Sequence, residues 1–124
     1  MSAARILLVD DEIPLLQLLE KYLQRLGHQV ETQSKSEDAL RSFQAAPSAY
    51  DLVIADLGMP DLPGDTMLRR MLAIRADVPI LICSGSPFFV SSLPKILEKQ
   101  VAFLQKPFAP KMLSEAIEKL LSQR

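Results

Sequence analysis

Apolar residues follow two rhythms along this chain. Short unbroken runs lie at Arg5-Ile6-Leu7-Leu8-Val9, within Asp51–Asp56, at Val78–Cys83 and at Val101–Leu104. Each is too short for a helix and is bounded by charged or turn-forming residues, which predicts strands buried on both faces. Gln29–Thr32 reads as a further short strand. Between these runs the spacing turns helical. Ile13, Leu15, Leu16, Leu18, Leu19, Tyr22, Leu23 and Leu26 define one helix, with Pro14 in its first turn and Gly27 as its C-cap. Ser36 with Asp38 is expected to cap a second helix through Ala39, Leu40 and Phe43, ended by Ala46-Pro47. Met67, Leu68, Met71, Leu72 and Ile74 mark a third. The segment Phe88–Glu98 predicts a fourth, late-starting or broken at Pro94, and Pro110 starts a last helix with face Met112, Leu113, Ile117, Leu120 and Leu121.

Strand then helix, five times over, implies βαβ crossovers. The fold class is therefore α/β, a doubly wound five-stranded parallel sheet with helices on both faces. At 124 residues the chain is the size of one domain, and neither linker nor repeat divides it. With 14 basic and 15 acidic residues it carries a formal charge of -1, which gives no electrostatic footprint for nucleic acid or an anionic membrane surface. No apolar run approaches a membrane span, and the start at Met1-Ser2-Ala3-Ala4-Arg5 has no signal-peptide core. The single cysteine, Cys83, excludes an internal disulfide and reads as a small buried hydrophobe. A cytoplasmic location is expected.

The chemistry sits where the strands end. Asp10 and Asp11 follow the first strand, Asp56 the third, Ser84 the fourth and Lys106 the fifth. In a doubly wound sheet these carboxyl ends open on one crevice. Two carboxylates about 4 Å apart repel by about 4 kcal/mol at an effective dielectric near 20. One ammonium, Lys106, does not offset several such pairs, so a divalent cation is implied. An oxygen-only ligand set suits Mg²⁺, which keeps several waters and recruits phosphate oxygens. Asp56 in such a site is a candidate nucleophile toward phosphorus.

The ordered set of the Asp10-Asp11 pair, Asp56 followed by Met59-Pro60, Ser84-Gly85 and Lys106-Pro107-Phe108 resembles the receiver domain of two-component response regulators, including the receivers of hybrid histidine kinases, over essentially the whole of residues 1–124. The resemblance implies a flavodoxin-like sheet of order 2-1-3-4-5 and Mg²⁺-dependent transfer of a phosphoryl group to Asp56 from a histidine kinase or histidine phosphotransfer protein. It implies Asp11 as a direct metal ligand, Asp10 as a support through water, and the Gly58 carbonyl as another ligand. Ser84 and Lys106 would each take a phosphoryl oxygen. Ser84 and Phe103 would form the switch, changing the face of the fourth helix, last strand and last helix. A cis Lys106-Pro107 peptide is implied too, and a homodimer through the fourth- and fifth-helix face is allowed. The domain would be a signalling phosphoacceptor, catalysing only its own phosphorylation and dephosphorylation. Both a stand-alone regulator and part of a hybrid kinase or transcription factor fit.

Plainer readings stand beside these. Asp10, Asp11 and Glu12 suit the first turn of the helix at Ile13, Ser84 suits a cap, and Lys106 taken alone reads as a solvated lysine. His28 reads as a surface or boundary residue, and Phe88-Phe89 as loop aromatics that either pack onto the domain or meet a partner. An aspartyl-nucleophile phosphatase would need a second acid shortly after Asp56, where Leu57 and Gly58 stand. A phosphate-independent module on the same fold would be expected to have lost one of the acids or the lysine, and none is lost.

Overall fold

The computed structural model describes residues 3–85 and 99–123. The element order is β1 (Arg5–Val9), α1 (Ile13–Arg25), β2 (Gln29–Gln33), α2 (Ser36–Ala45), a 3₁₀ turn (Pro47–Ala49), β3 (Leu52–Ala55), α3 (Gly64–Ile74), β4 (Ile80–Ser84), β5 (Val101–Gln105) and α4 (Pro110–Ser122). The fourth helix expected at Phe88–Glu98, with Phe88 and Phe89, lies outside the described residues. All five strands run parallel in the order β2-β1-β3-β4-β5. No helix of the described residues is long and apolar enough to cross a membrane.

Alternation along the strands divides the core into two layers. Ile6, Leu8, Leu52, Ile54 and Leu81 pack with Leu16, Leu19 and Leu23 of α1 and Leu113, Ile117 and Leu120 of α4. Leu7, Val9, Val53, Ala55 and Ile82 pack with Leu40 and Phe43 of α2 and Met67 and Met71 of α3. Most of these side chains are fully buried. That is why the strands read as unbroken apolar runs: both faces are covered. Register then fixes the strand ends. Val9 pairs with both Gln33 and Ala55, so Asp10 and Asp56 leave the sheet side by side, and Ser84 pairs with Gln105, just before Lys106.

Several local expectations need correction. Met112, Leu18, Ile13 and Ile74 are exposed, because the buried stripes run through Leu113, Ile117 and Leu120 in α4, through Leu16, Leu19 and Leu23 in α1 and through Met67, Leu68 and Met71 in α3. Neither Asp11 nor Glu12 caps α1 through its side chain. Asp10 bends the chain instead, its Oδ1 accepting the Glu12 N–H at 2.9 Å. Ser36 is the first residue of α2, and no local side chain caps that helix. Its acceptor is Asp61, a residue of the β3–α3 loop.

His28 is buried, against the expectation of a surface or boundary residue. Gly27, at φ 96°, turns the chain out of α1 and drives the imidazole against the start of β1. There Nδ1 accepts the Ala4 N–H at 3.0 Å, so the ring is held in the neutral form protonated on Nε2. Burial pushes its pKa down from 6.5, and the charge of Glu118 opposes this in part. Stability from a depressed histidine is complete above the unfolded value and is lost as pH falls through the folded one, by about 1.4 kcal/mol per pH unit within that window. Urea unfolding at about pH 7.5 and pH 5 should therefore show a larger acid loss in the wild type than in His28→Gln. Equal losses in both proteins would contradict this role for His28.

Candidate functional site

The strand ends bring the acids together. Asp10 follows β1, Asp56 follows β3, and one carboxylate oxygen from each, with one from Asp11, falls within 4.8 Å of the others. Asp10 and Asp56 are buried while Asp11 is exposed. Each occupies a different local geometry. The Asp56 N–H donates to the Val9 carbonyl at 3.1 Å, and Asp56 Oδ1 accepts the Gly58 N–H at 3.1 Å, a turn that orients the carboxylate. Gly58 lies directly over it: a Cβ there would sit 3.8 Å from Asp56 Oδ1.

Lys106 is the counter-charge. Its backbone N–H donates to the Ser84 carbonyl at 2.9 Å, extending the β4–β5 ladder by one bond. Its Nζ donates to Asp10 Oδ2 at 2.7 Å, to Asp56 Oδ2 at 3.2 Å and to Glu12 Oε1 at 3.2 Å. The Lys106–Pro107 peptide is cis. Burial alone would lower the lysine pKa, but the Asp10 and Asp56 carboxylates hold it well above the ordinary value, so the ammonium stays charged. For Asp10 burial wins instead: it raises the carboxyl pKa, and the Lys106 bond and the Glu12 N–H only partly offset this. Glu12 is exposed, so its ion pair with Lys106 is screened and contributes little.

Ser84 is buried and enters the site through its backbone bond to Lys106. Phe103, partly buried, pairs with Ile82 and packs on the α2–α3 side of the sheet. Cys83 points into the α1–α4 layer, and burial lifts its thiol to about 12, so it is inert at neutral pH. Two features have no counterpart in the sequence expectations. One is the reach of Glu12 to Lys106. The other is a cleft of about 630 Å³ that runs from Asp56 and Lys106 along α1, lined by Leu15, Leu18, Tyr22, Pro107 and Phe108. An apolar residue off the buried stripe of α1, Leu18, was the available signal for the cleft.

The donor set around Asp56 is oxygen only, from acids of which two are buried beside a single ammonium. That chemistry fits a hard divalent cation such as Mg²⁺, with Asp10, Asp11 and Asp56 as the candidate holders.

The sequence profile of the family described as response regulator receiver domain matches residues 6–118. The chain belongs to this family. It is 33% identical to the DNA-binding transcriptional regulator NtrC of Azospirillum brasilense, over 98% of this chain and 25% of that protein. It is 28% identical to the sensor kinase CckA of Brucella abortus, over 99% of this chain and 13% of that one. The chain thus spans a quarter or less of these two relatives. Among solved structures, a response regulator receiver domain protein of Clostridium thermocellum superposes with a TM-score of 0.84 at 30% identity, over 97% of this chain and 95% of that one. The receiver domain of the hybrid histidine kinase CckA superposes at 0.80 and 29% identity, over 94% and 98%. This receiver domain therefore has the flavodoxin-like fold of its family, whose members are signalling domains that generally bind Mg²⁺ at an acidic pocket.

Replacing Lys106 by Met would leave Asp10 and Asp56 buried without a counter-charge. The unfolding free energy in urea near neutral pH should fall by about 3 kcal/mol. Saturating Mg²⁺ should restore much of the loss. A variant as stable as the wild type without Mg²⁺ would show that Lys106 is not the counter-ion.

Proposed function

We propose that this receiver domain, spanning residues 1–124, is a phosphoacceptor that takes a phosphoryl group onto Asp56 from a phosphohistidine of a histidine kinase or histidine phosphotransfer protein. The observation that carries the reading is the ammonium of Lys106 between Asp10 and Asp56, beside Asp11, at the carboxyl ends of β1, β3 and β5. In the transfer a carboxylate oxygen of Asp56 forms the new bond to phosphorus. The donor's P–N bond breaks, and its imidazole leaves with the electron pair and takes up a proton. Bound Mg²⁺ supplies positive charge to the phosphoryl oxygens and to the acids that hold it. Lys106 moves from the carboxylates to a second oxygen, and the Ser84 hydroxyl donates to the third. Charge placed in advance where it develops is the main catalytic device of such a site.

Asp11 would hold the metal directly, as the family resemblance implies, and it is the exposed acid of the cluster. Gly58 presents no side chain over the acyl phosphate, so nothing at that position shields or activates a hydrolytic water. The Ser84–phosphoryl bond would draw the β4 end inward and let Phe103 repack, altering the surface of β5 and α4. The cleft beside α1 would receive the partner: it is apolar, carries the exposed Leu18 and ends on Asp56, as a helix presenting a phosphohistidine requires.

Incubation with a small phosphodonor and Mg²⁺ should label the wild type with an acid-labile, hydroxylamine-sensitive phosphoryl group of the acyl-phosphate kind and leave Asp56→Asn unlabelled. Labelling of Asp56→Asn to the wild-type level would remove Asp56 from the role. The partner surface has its own test. Leu18→Arg should keep its rate with the small donor but lose about tenfold or more in transfer from a phosphorylated kinase, the loss expected for a central interface contact. Unchanged transfer would place the partner elsewhere.

A further inference from the structure

Asp61 is an acid close to the site that takes no part in the carboxylate cluster. Its oxygens serve the opposite layer. Oδ1 accepts the Ser36 N–H at 3.2 Å and the Ser36 hydroxyl at 2.8 Å, and Oδ2 accepts the Glu37 N–H at 3.0 Å. The Leu62 N–H donates back to Ser36 Oγ at 3.1 Å, and Ser36 is fully buried beneath this bridge. A helix start leaves backbone N–H groups unsatisfied, and Lys35 at the N-cap of α2 offers no acceptor. A residue 25 positions downstream in sequence meets that need.

The same loop is anchored at a second point. A Cβ on Gly64 would lie 2.5 Å from Leu57 Cα and 2.7 Å from the Asp56 carbonyl oxygen, backbone atoms that have nowhere to move. The Gly64 N–H also donates to the Leu57 carbonyl at 3.2 Å. Residues 57–63 thus form a closed loop, with its two ends in contact and its tip bound to α2. Gly58, whose N–H orients Asp56, lies between these anchors.

We infer that Asp61 is a positioning residue for the metal site: by binding the start of α2 it fixes the loop whose Gly58 carbonyl would complete the ligand set. This rests on the reading of Gly58 as a metal ligand given above. Without the bridge, the loop keeps its Gly64 anchor but gains freedom at the tip, and the Gly58 carbonyl must be ordered when the metal binds. The loss therefore falls on metal affinity: Asp56, Lys106 and Ser84 stand on strand ends that Asp61 does not touch, and the Gly58 N–H that orients Asp56 is ordered again once saturating Mg²⁺ holds the Gly58 carbonyl. Partners that orient a ligand typically change metal affinity by about 10- to 100-fold when removed.

The test is a Mg²⁺ titration of the full chain, followed through backbone amide NMR signals including Gly58, for the wild type, Asp61→Ala, Asp61→Asn, Ser36→Ala and Leu40→Ala. Asp61→Ala should raise the dissociation constant about tenfold, while the phosphorylation rate at saturating Mg²⁺ stays near the wild-type value. Asp61→Asn keeps one acceptor oxygen and should recover part of the loss, and Ser36→Ala should show a smaller loss in the same direction. Leu40→Ala opens a cavity under the same helix and leaves the Asp61 bonds to Ser36 and Glu37 in place. It should lower the melting temperature further than Asp61→Ala yet shift the constant by less than about twofold. An unchanged constant in both Asp61→Ala and Asp61→Asn would overturn the inference, and so would an equal shift in Leu40→Ala. A wild type with no Mg²⁺ affinity would remove the metal site itself, and this would be visible before any variant is compared.

Discussion

Everything at this site follows from two buried carboxylates that the sheet forces to be neighbours. Val9 and Ala55 pair in register, so the residues after them, Asp10 and Asp56, emerge together whether or not their charges agree. Each would be costly to ionise alone in so little water. Lys106, delivered by the end of β5, bonds to both and offsets part of that cost, but it is one cation against two buried acids and the exposed Asp11 beside them. The negative charge that remains is what would make the crevice a trap for a divalent ion and a receptive place for a phosphoryl group.

The site also lies at the border of the two core layers, and this gives its members different neighbours. Lys106 leads into the turn that lines the cleft along α1 with Pro107 and Phe108. Ser84 and Phe103 belong by alternation to the other layer, beside α2 and α3. Under the proposed function, one event at Asp56 would be felt on both sides: by a docked partner in the cleft, and by the surface of β5 and α4 through Phe103.

The sheet was legible in the sequence because its strands are covered on both faces. Runs such as Ile6–Val9 and Leu52–Ala55 have no polar residue to interrupt them, and the acids that end them mark the crevice. The cis peptide and the sheet order came from the family resemblance and not from any pattern of spacing. What stayed hidden depends on residues far apart in sequence. His28 looked like a boundary residue because nothing local shows that the Ala4 N–H needs its ring. Ser36 looked like its own cap because Asp61, the real acceptor, lies a helix and a strand away. Helical spacing counted Leu18 and Met112 with their apolar faces, although a degree of rotation set by packing leaves both in solvent.

The most direct measurement is a crystal structure of the chain grown with Mg²⁺ and beryllofluoride, a mimic of the phosphoryl group. Beryllium should be bonded to an Asp56 carboxylate oxygen, with magnesium touching Asp11, Asp56 and the Gly58 carbonyl, and Lys106 Nζ moved off Asp56 onto a fluorine. An unmodified Asp56 still bonded to Lys106, with both ions present in the crystal but bound elsewhere, would contradict phosphorylation at Asp56.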